Sequence, residues 1–252
     1  FARRQLEQER LKKEVEIASN VQRMLFPAKL PHNSKLKAKV TYIPHSTVGG
    51  DYYDLIQKSE DEVFFCIADV SGKGMPAALL MSNFQAALRT LLRSSSDLKM
   101  IVEQLNYTIF ENTGGEKFIT FFLGHYNYKN RELKYVNAGH NPPILCWEGE
   151  MRSESLGAGT TILGAFETLP FLEIGKRSHL KNFNIHLYTD GLTENFNDKD
   201  EEYGDERFEK YVKTHLCVEP EVFHKAFFKE LEDFSNGVAR MDDITLLSLR
   251  FA

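Results

Sequence analysis

Positions apolar except at Gln22 recur near the start of the chain at alternating steps of four and three, through Leu11, Val15, Ala18, Gln22 and Leu25. Ile17, Val21 and Met24 widen that stripe, and no proline or glycine falls between Ala2 and Leu25, so the spacing predicts one helix. The seam is apolar only from Leu11 onward; Arg4 and Gln8 share its register, which makes an isolated coiled coil short and weak. Two roles stay open for this helix: lying on its own domain, or pairing with a second copy to couple an upstream sensor to that domain. Pro27 and Pro31 end it, because proline lacks the amide donor and clashes with the preceding turn. The chain thus divides into a linker helix over 1-26 and a domain over 27-252.

Beyond the prolines the pattern shortens to β-type runs. Positions 39–44 and 52–56 read as strands, and 63–70 is a nearly continuous apolar run of the kind buried on both faces of a sheet. Helices follow at 75–93 and 98–112, the first with a wide apolar face of Ala77, Ala78, Leu80, Met81, Phe84 and Leu88. Strands resume at 118–126, 132–137 and 144–147; 149–175, rich in glycine and threonine, reads as loops. A buried strand at 184–189, helices at 205–214 and 220–234, and a strand at 244–251 complete the pattern. Strands in runs with helices in separate pairs predict an α/β (α+β) fold with helices packed outside antiparallel sheets.

The 252 residues are 42% hydrophobic and 27% charged, an ordinary globular composition. A net charge of -5 leaves no broad positive field for a nucleic-acid backbone, so nucleic acid is excluded as a partner. Cys66, Cys146 and Cys217 are scattered with no C-x-x-C pair, which fits buried thiols in a reducing, cytoplasmic setting. No stretch approaches the ~20 apolar residues of a membrane span. The chain opens on Phe1 and runs at once into charged helix, so it is expected to be part of a longer sensor protein.

Four acidic clusters sit at the edges of hydrophobic strands: Gly49-Gly50-Asp51-Tyr52-Tyr53-Asp54, Ala68-Asp69-Val70-Ser71-Gly72-Lys73-Gly74, Tyr188-Thr189-Asp190-Gly191 and Met241-Asp242-Asp243-Ile244-Thr245. Singly, each reads as a turn in which the acid bonds its own backbone and glycine supplies positive φ. Jointly they point elsewhere, since carboxylates ending buried strands are costly unless a cation meets them. Oxygen ligands without histidine or cysteine select magnesium or manganese. Two such ions ~4 Å apart deprotonate a bridging water and stabilise charge on a transferring phosphoryl group.

These words, together with Asn137-Ala138-Gly139-His140-Asn141-Pro142-Pro143, resemble the bacterial serine phosphatases of the SpoIIE and RsbU type, within the PPM metal-dependent protein phosphatases. The resemblance covers roughly residues 15 to 250. It implies a four-layer αββα sandwich, two antiparallel sheets face to face with helices outside, with a two-metal site at one end. Carried over by position, Asp69 is the ligand shared by two Mn2+ or Mg2+ ions and the Val70 carbonyl adds an oxygen. Asp51 holds one ion; Asp190 and Asp242 hold the other. Asp54 and Asp243 are candidates to orient ligands or waters, and either can displace the first choices.

The implied activity is hydrolysis of phosphoserine or phosphothreonine on a partner protein, of the anti-sigma-factor-antagonist class, by a metal-bridging hydroxide. Where the eukaryotic branch carries a histidine soon after the shared aspartate, Ser71 stands here, leaving the proton donor to a metal-bound water or to His140. His140 equally reads as a residue that bonds loop backbone. Gly72-Lys73-Gly74 is not a phosphate-binding P-loop, which requires serine or threonine where Gly74 stands; Lys73 reads as solvated or as an aid to phosphate binding. Two alternatives remain: an inactive PPM-fold module that binds a phosphoprotein, and a phosphatase for a small phosphorylated metabolite. The amino-terminal helix is expected to carry regulation.

Overall fold

The computed structural model describes residues 2–148, 150, 152–216 and 218–252. Phe1, Gly149, Met151 and Cys217 lie outside the described residues, and the expectation of a buried Cys217 thiol lies there with them. The predicted amino-terminal helix is α1, Ala2–Arg23. After it come β1 (Leu36–Ile43), β2 (Tyr52–Gln57) and β3 (Glu62–Val70), then the helix pair α2 (Gly74–Ser94) and α3 (Leu98–Thr113). Asp97 starts α3 by accepting from the amides of Lys99 and Met100, and Gly114 closes it in the left-handed region.

Strands β4 (Ile119–Asn127), β5 (Glu132–Ala138) and β6 (Ile144–Trp147) follow, then the short β7 (Ser153–Ser155), β8 (Gly159–Thr160) and β9 (Gly175–Arg177). The chain ends through β10 (Phe183–Tyr188), the single turn α4 (Asp190–Thr193), α5 (Asp205–Thr214), α6 (Pro220–Ser235) and β11 (Ile244–Phe251). Proline at the first position of α6 costs no hydrogen bond, since that amide has no partner within the helix.

One sheet runs β1-β11-β10-β6-β7 and the other β2-β3-β4-β5-β8, with β9 on β5. The alternation of β3 divides its side chains between two layers. Val63, Phe65 and Ile67 meet Leu145, Ile185, Leu187, Leu247 and Phe251 between the sheets. Phe64, Cys66, Ala68 and Val70 face the other way, against Met81, Phe84, Leu88, Ile101 and Leu105 of α2 and α3. On the far side Ile244, Leu246 and Tyr188 pack under Phe208, Phe223 and Phe227 of α5 and α6. The layer order is helices, sheet, sheet, helices, the four-layer sandwich that was expected.

Two expectations are corrected. Positions 149–175 contain β7, β8 and the first residue of β9 rather than loops alone. These strands are two or three residues long, too short for alternation to show, and depend on neighbours supplied by the fold. The sheets are also not wholly antiparallel: β8 pairs with β5 in parallel, Asn137 opposite Gly159.

Candidate metal centre

The acidic clusters meet at one end of the sandwich, where β2 begins, β3 ends, β10 passes into α4 and β11 begins. In the register of β2, Asp51 falls on the side of Tyr53 and Leu55, which face the other sheet. It is 2% exposed. Thr245 and Thr189, on the inward side of the opposite sheet, both donate hydroxyl hydrogens to Asp51 Oδ2, at 2.5 and 2.8 Å. Both bonds use the same oxygen and leave Oδ1 out.

Glycine permits the close approach of these segments. A Cβ on Gly191 would overlap the Asp243 carbonyl, and one on Gly50 would stand 3.0 Å from the Val70 carbonyl oxygen. Asp243 accepts from the amides of His45 at 2.7 Å and Gly50 at 2.8 Å, which fixes the chain entering Asp51.

The electrostatics record a negative cluster. Burial, and then the charges of Asp190, Asp242 and Asp243, push Asp69 up to about 8 from 3.8. Burial and the Asp69 charge likewise drive Asp51 well above the usual carboxylate range, against the hydrogen bonds from Thr245 and Thr189. Asp190 is raised by burial and by Asp242. Lys73 provides the opposite charge, with Nζ 2.6 Å from Asp242 Oδ2 and donating to the Met241 carbonyl at 2.6 Å. Lys73 is therefore paired with this segment while its side chain stays 55% exposed to water.

Among the described residues, no three ligand-type side chains already converge to hold one ion. Like charges repel, and two of the four aspartates have other partners, Asp51 its threonines and Asp242 its lysine. The donor set nevertheless fits hard divalent cations: all ligand candidates are oxygens, and burial together with their shared charge raises Asp51, Asp69 and Asp190 in the direction a cation reverses.

One expectation is corrected, and two residues that the sequence left open take partners of their own. Asp54 does not attend this cluster: three positions from Asp51 on an extended strand, it points into the helix layer. There Arg89 of α2 binds both its oxygens at 2.8 and 3.1 Å and the Tyr52 hydroxyl donates at 2.5 Å. Both ring nitrogens of His140 are hydrogen-bonded within the protein. Its Nε2 donates to the Tyr188 carbonyl at 3.0 Å, so Nδ1 accepts from the Thr120 hydroxyl at 2.8 Å, and burial lowers it to about 4. It ties the strand neighbour of Asp69 to the strand leading to Asp190. Ser71 Oγ accepts from the Phe118 amide at 3.0 Å and shapes the loop after Asp69.

Sequence reasoning missed Thr189 and Thr245 as ligand supports, although both stand inside the quoted motifs; a hydroxyl on the inward register beside each acidic pair was the available signal. It also missed Gln22 of α1. The Gln22 amide donates to the Gly49 carbonyl at 2.7 Å and accepts from the Gly49 amide at 3.2 Å, while Ser19 donates to the Thr47 carbonyl at 2.7 Å. The carboxyl half of α1 is thus docked on the strand-entry loop of Asp51, and residues 3–14 are exposed.

Comparison with known proteins agrees with this arrangement. The family described as Stage II sporulation protein E (SpoIIE) matches residues 59–252. The phosphoserine phosphatase RsbU of Bacillus subtilis (strain 168) is 31% identical over 252 residues, spanning 96% of this chain and 71% of RsbU. Among solved structures, the SiaA-PP2C domain of Pseudomonas aeruginosa superposes with a TM-score of 0.85 at 21% identity, over 98% of this chain and 99% of that one. RsbX in complex with magnesium gives a TM-score of 0.66 at 17% identity, over 89% of this chain and 99% of its own. The matched segment holds Asp69, Asp190 and Asp242, and with the RsbU identity and the shared sandwich it places the chain in the SpoIIE/RsbU family of PPM-type phosphatases.

Proposed function

We propose that the chain hydrolyses phosphoserine or phosphothreonine on a partner protein, with Asp51, Asp69, Asp190, Asp242 and the Val70 carbonyl holding two divalent cations, Mg2+ or Mn2+. The observation that carries this reading is the meeting of the four aspartates at one end of the sandwich, Asp51 buried and Asp69, Asp190 and Asp242 half-buried, where burial and the neighbouring carboxylates push Asp69 up to about 8. The magnesium complex of RsbX, which shares the fold, supports the choice of cation. Bound cations supply a water ionised at neutral pH and neutralise charge on the transferring phosphoryl group.

The chain's own residues prepare that site. Thr189 and Thr245 aim Asp51, Asp243 fixes the Gly50 amide beside it, and His140 braces the strands that present Asp69 and Asp190. The rim carries exposed apolar side chains, Phe118 next to the Ser71 loop and Met241 next to Asp242. A groove of about 490 Å³ lined by Leu55, Arg89 and Leu92 lies away from this rim. Exposed apolar side chains on the rim suit contact with a protein surface. Similarity to the phosphoserine phosphatase RsbU supports a phosphoserine protein as the substrate, and the family resemblance implies one of the anti-sigma-factor-antagonist class.

Helix α1 carries regulation in this proposal. Its bonded pair with Gly49 reaches the loop of Asp51, while Leu6, Leu11 and Ile17 are exposed to pair with a second copy or an upstream segment.

The test is phosphate release with added manganese from a phosphoserine protein and, in parallel, from free phosphoserine. The expected result is metal-dependent release from the protein substrate that Asp69→Asn abolishes. Full activity in that variant removes the mechanism, and preference for the free compound removes the protein substrate.

A further inference from the structure

The Gly72-Lys73-Gly74 segment has no part in the chemistry described so far, yet Lys73 is the cation that acts on Asp69, Asp190 and Glu194. It leads directly into α2. Its backbone is extended, φ -133 and ψ 162, between two glycines with positive φ, 98 for Gly72 and 70 for Gly74. A Cβ on Gly74 would meet nothing within 4 Å, so that glycine borders open space where the segment enters α2.

Two contacts hold the lysine ammonium, the Asp242 carboxylate and the Met241 carbonyl, each at 2.6 Å. Both belong to the segment that supplies a proposed metal ligand. Asp242 Oδ2 cannot give the same lone pairs to a lysine ammonium and to a divalent cation. The two positive charges would also repel each other at that distance.

Resting on the metal-centre reading above, we propose that Lys73 is a resident counter-ion for Asp242 which a divalent cation displaces: the lysine satisfies the carboxylate until the metal takes it, and the Gly72–Gly74 hinge carries the ammonium away. The device keeps a buried negative cluster tolerable without metal and sets a threshold for cation binding. The lysine side chain is 55% exposed, so the competition is modest rather than prohibitive.

The experiment pairs calorimetric titration of Mg2+ with an amine-acetylation footprint read by mass spectrometry. In the unaltered chain, acetylation of Lys73 is expected to rise when Mg2+ is added. In Asp242→Asn it is expected to be high before any addition. Lys73→Met, which keeps the apolar stem and removes the charge, is expected to bind Mg2+ about two- to fivefold more tightly, the size of an exposed ion pair.

Lys117 is the control, since its Nζ stands 3.4 Å from where a Cβ on Gly72 would be. Lys117→Met is expected to leave the affinity unchanged. If Mg2+ binds while the Lys73 footprint stays constant, or if Lys117→Met tightens binding as much as Lys73→Met, the displacement is wrong and the metal centre stands. If calorimetry detects no Mg2+ binding at all, the metal-centre reading fails and the displacement falls with it.

Discussion

Asp51 and Asp54 stand three positions apart at the start of one strand, equally removed from water at 2% and 0% exposure, yet in two different regions. Asp54 lies in the helix layer, its charge met by the Arg89 guanidinium and its remaining capacity filled by Tyr52 and by the Leu55 amide. Asp51 lies between the sheets, with two hydroxyls for partners and other carboxylates for neighbours. The difference separates structure from site. A buried acid answered by the chain's own cation holds elements together, whereas a buried group of acids answered mainly by one another needs a cation from outside.

The sharpest way to break this comparison is to neutralise one acid in each region. Asp69→Asn is expected to lower phosphatase activity by about a hundredfold or more, as loss of a central charge at a phosphoryl site does. In the metal-free protein it is expected to raise the melting temperature, because it removes repulsion among buried carboxylates. Asp54→Asn is expected to do the reverse, lowering stability by about 1 to 2 kcal/mol, because Asp54 is buried while the Arg89 side chain it releases is 38% exposed and regains water. Denaturant unfolding and turnover of both variants check the pair; matching effects in the two would erase the distinction.

A smaller change tests how Asp51 is aimed. Thr245→Val removes one of its two hydroxyl donors, and Mg2+ affinity is expected to fall about tenfold, the lower range for a group that orients a ligand. Calorimetry measures it directly.

A third contrast lies under α6, where polar groups are buried without any site. His186 Nδ1 and His224 Nε2 both meet Ser248 Oγ, and His224 Nδ1 meets Thr41 Oγ1, within 2.8 to 2.9 Å. Burial lowers both imidazoles to about 3, with Lys39 also acting on His224. These folded values lie below the ordinary 6.5, so the unfolded chain takes up protons first as pH falls. Stability is therefore full above that value and declines as pH drops from it toward 3, by up to about 1.4 kcal/mol per pH unit for each histidine. His224→Gln, which still hydrogen-bonds but does not titrate, is expected to make the decline shallower in denaturant titrations across pH.

The smallest expected effect concerns α1. Gln22→Ala removes both amide bonds to Gly49, worth about 1 kcal/mol together. Mg2+ affinity is expected to shift by about fivefold, and an unchanged value would detach the helix from the metal loop.

Much of this was legible before folding. The bounds of β6 and β11 follow from apolar runs, those of α5 from helical spacing of Phe208, Tyr211 and Val212, and β3 shows its two-faced burial as a nearly continuous apolar run. The acidic motifs stood out because a charge at the rim of such a run has no cheap explanation. The period-two parity of β2 would also have set Asp54 apart from Asp51. Other features had no local signal: β7, β8 and β9 are too short to carry a pattern, and the parallel pairing of β8 with β5 joins residues about twenty positions apart.

The sequence alone determined which groups are present and which face of each element buries them, because periodicity and turn chemistry act over a few residues. Tertiary structure decided which charges meet. It gave Asp54 to Arg89, set His140 between the sheets as a brace, turned Thr189 and Thr245 onto Asp51, and brought Lys73 to Asp242. Electrostatic and hydrogen-bond partners are chosen by distance through space, and only the packed sandwich sets those distances.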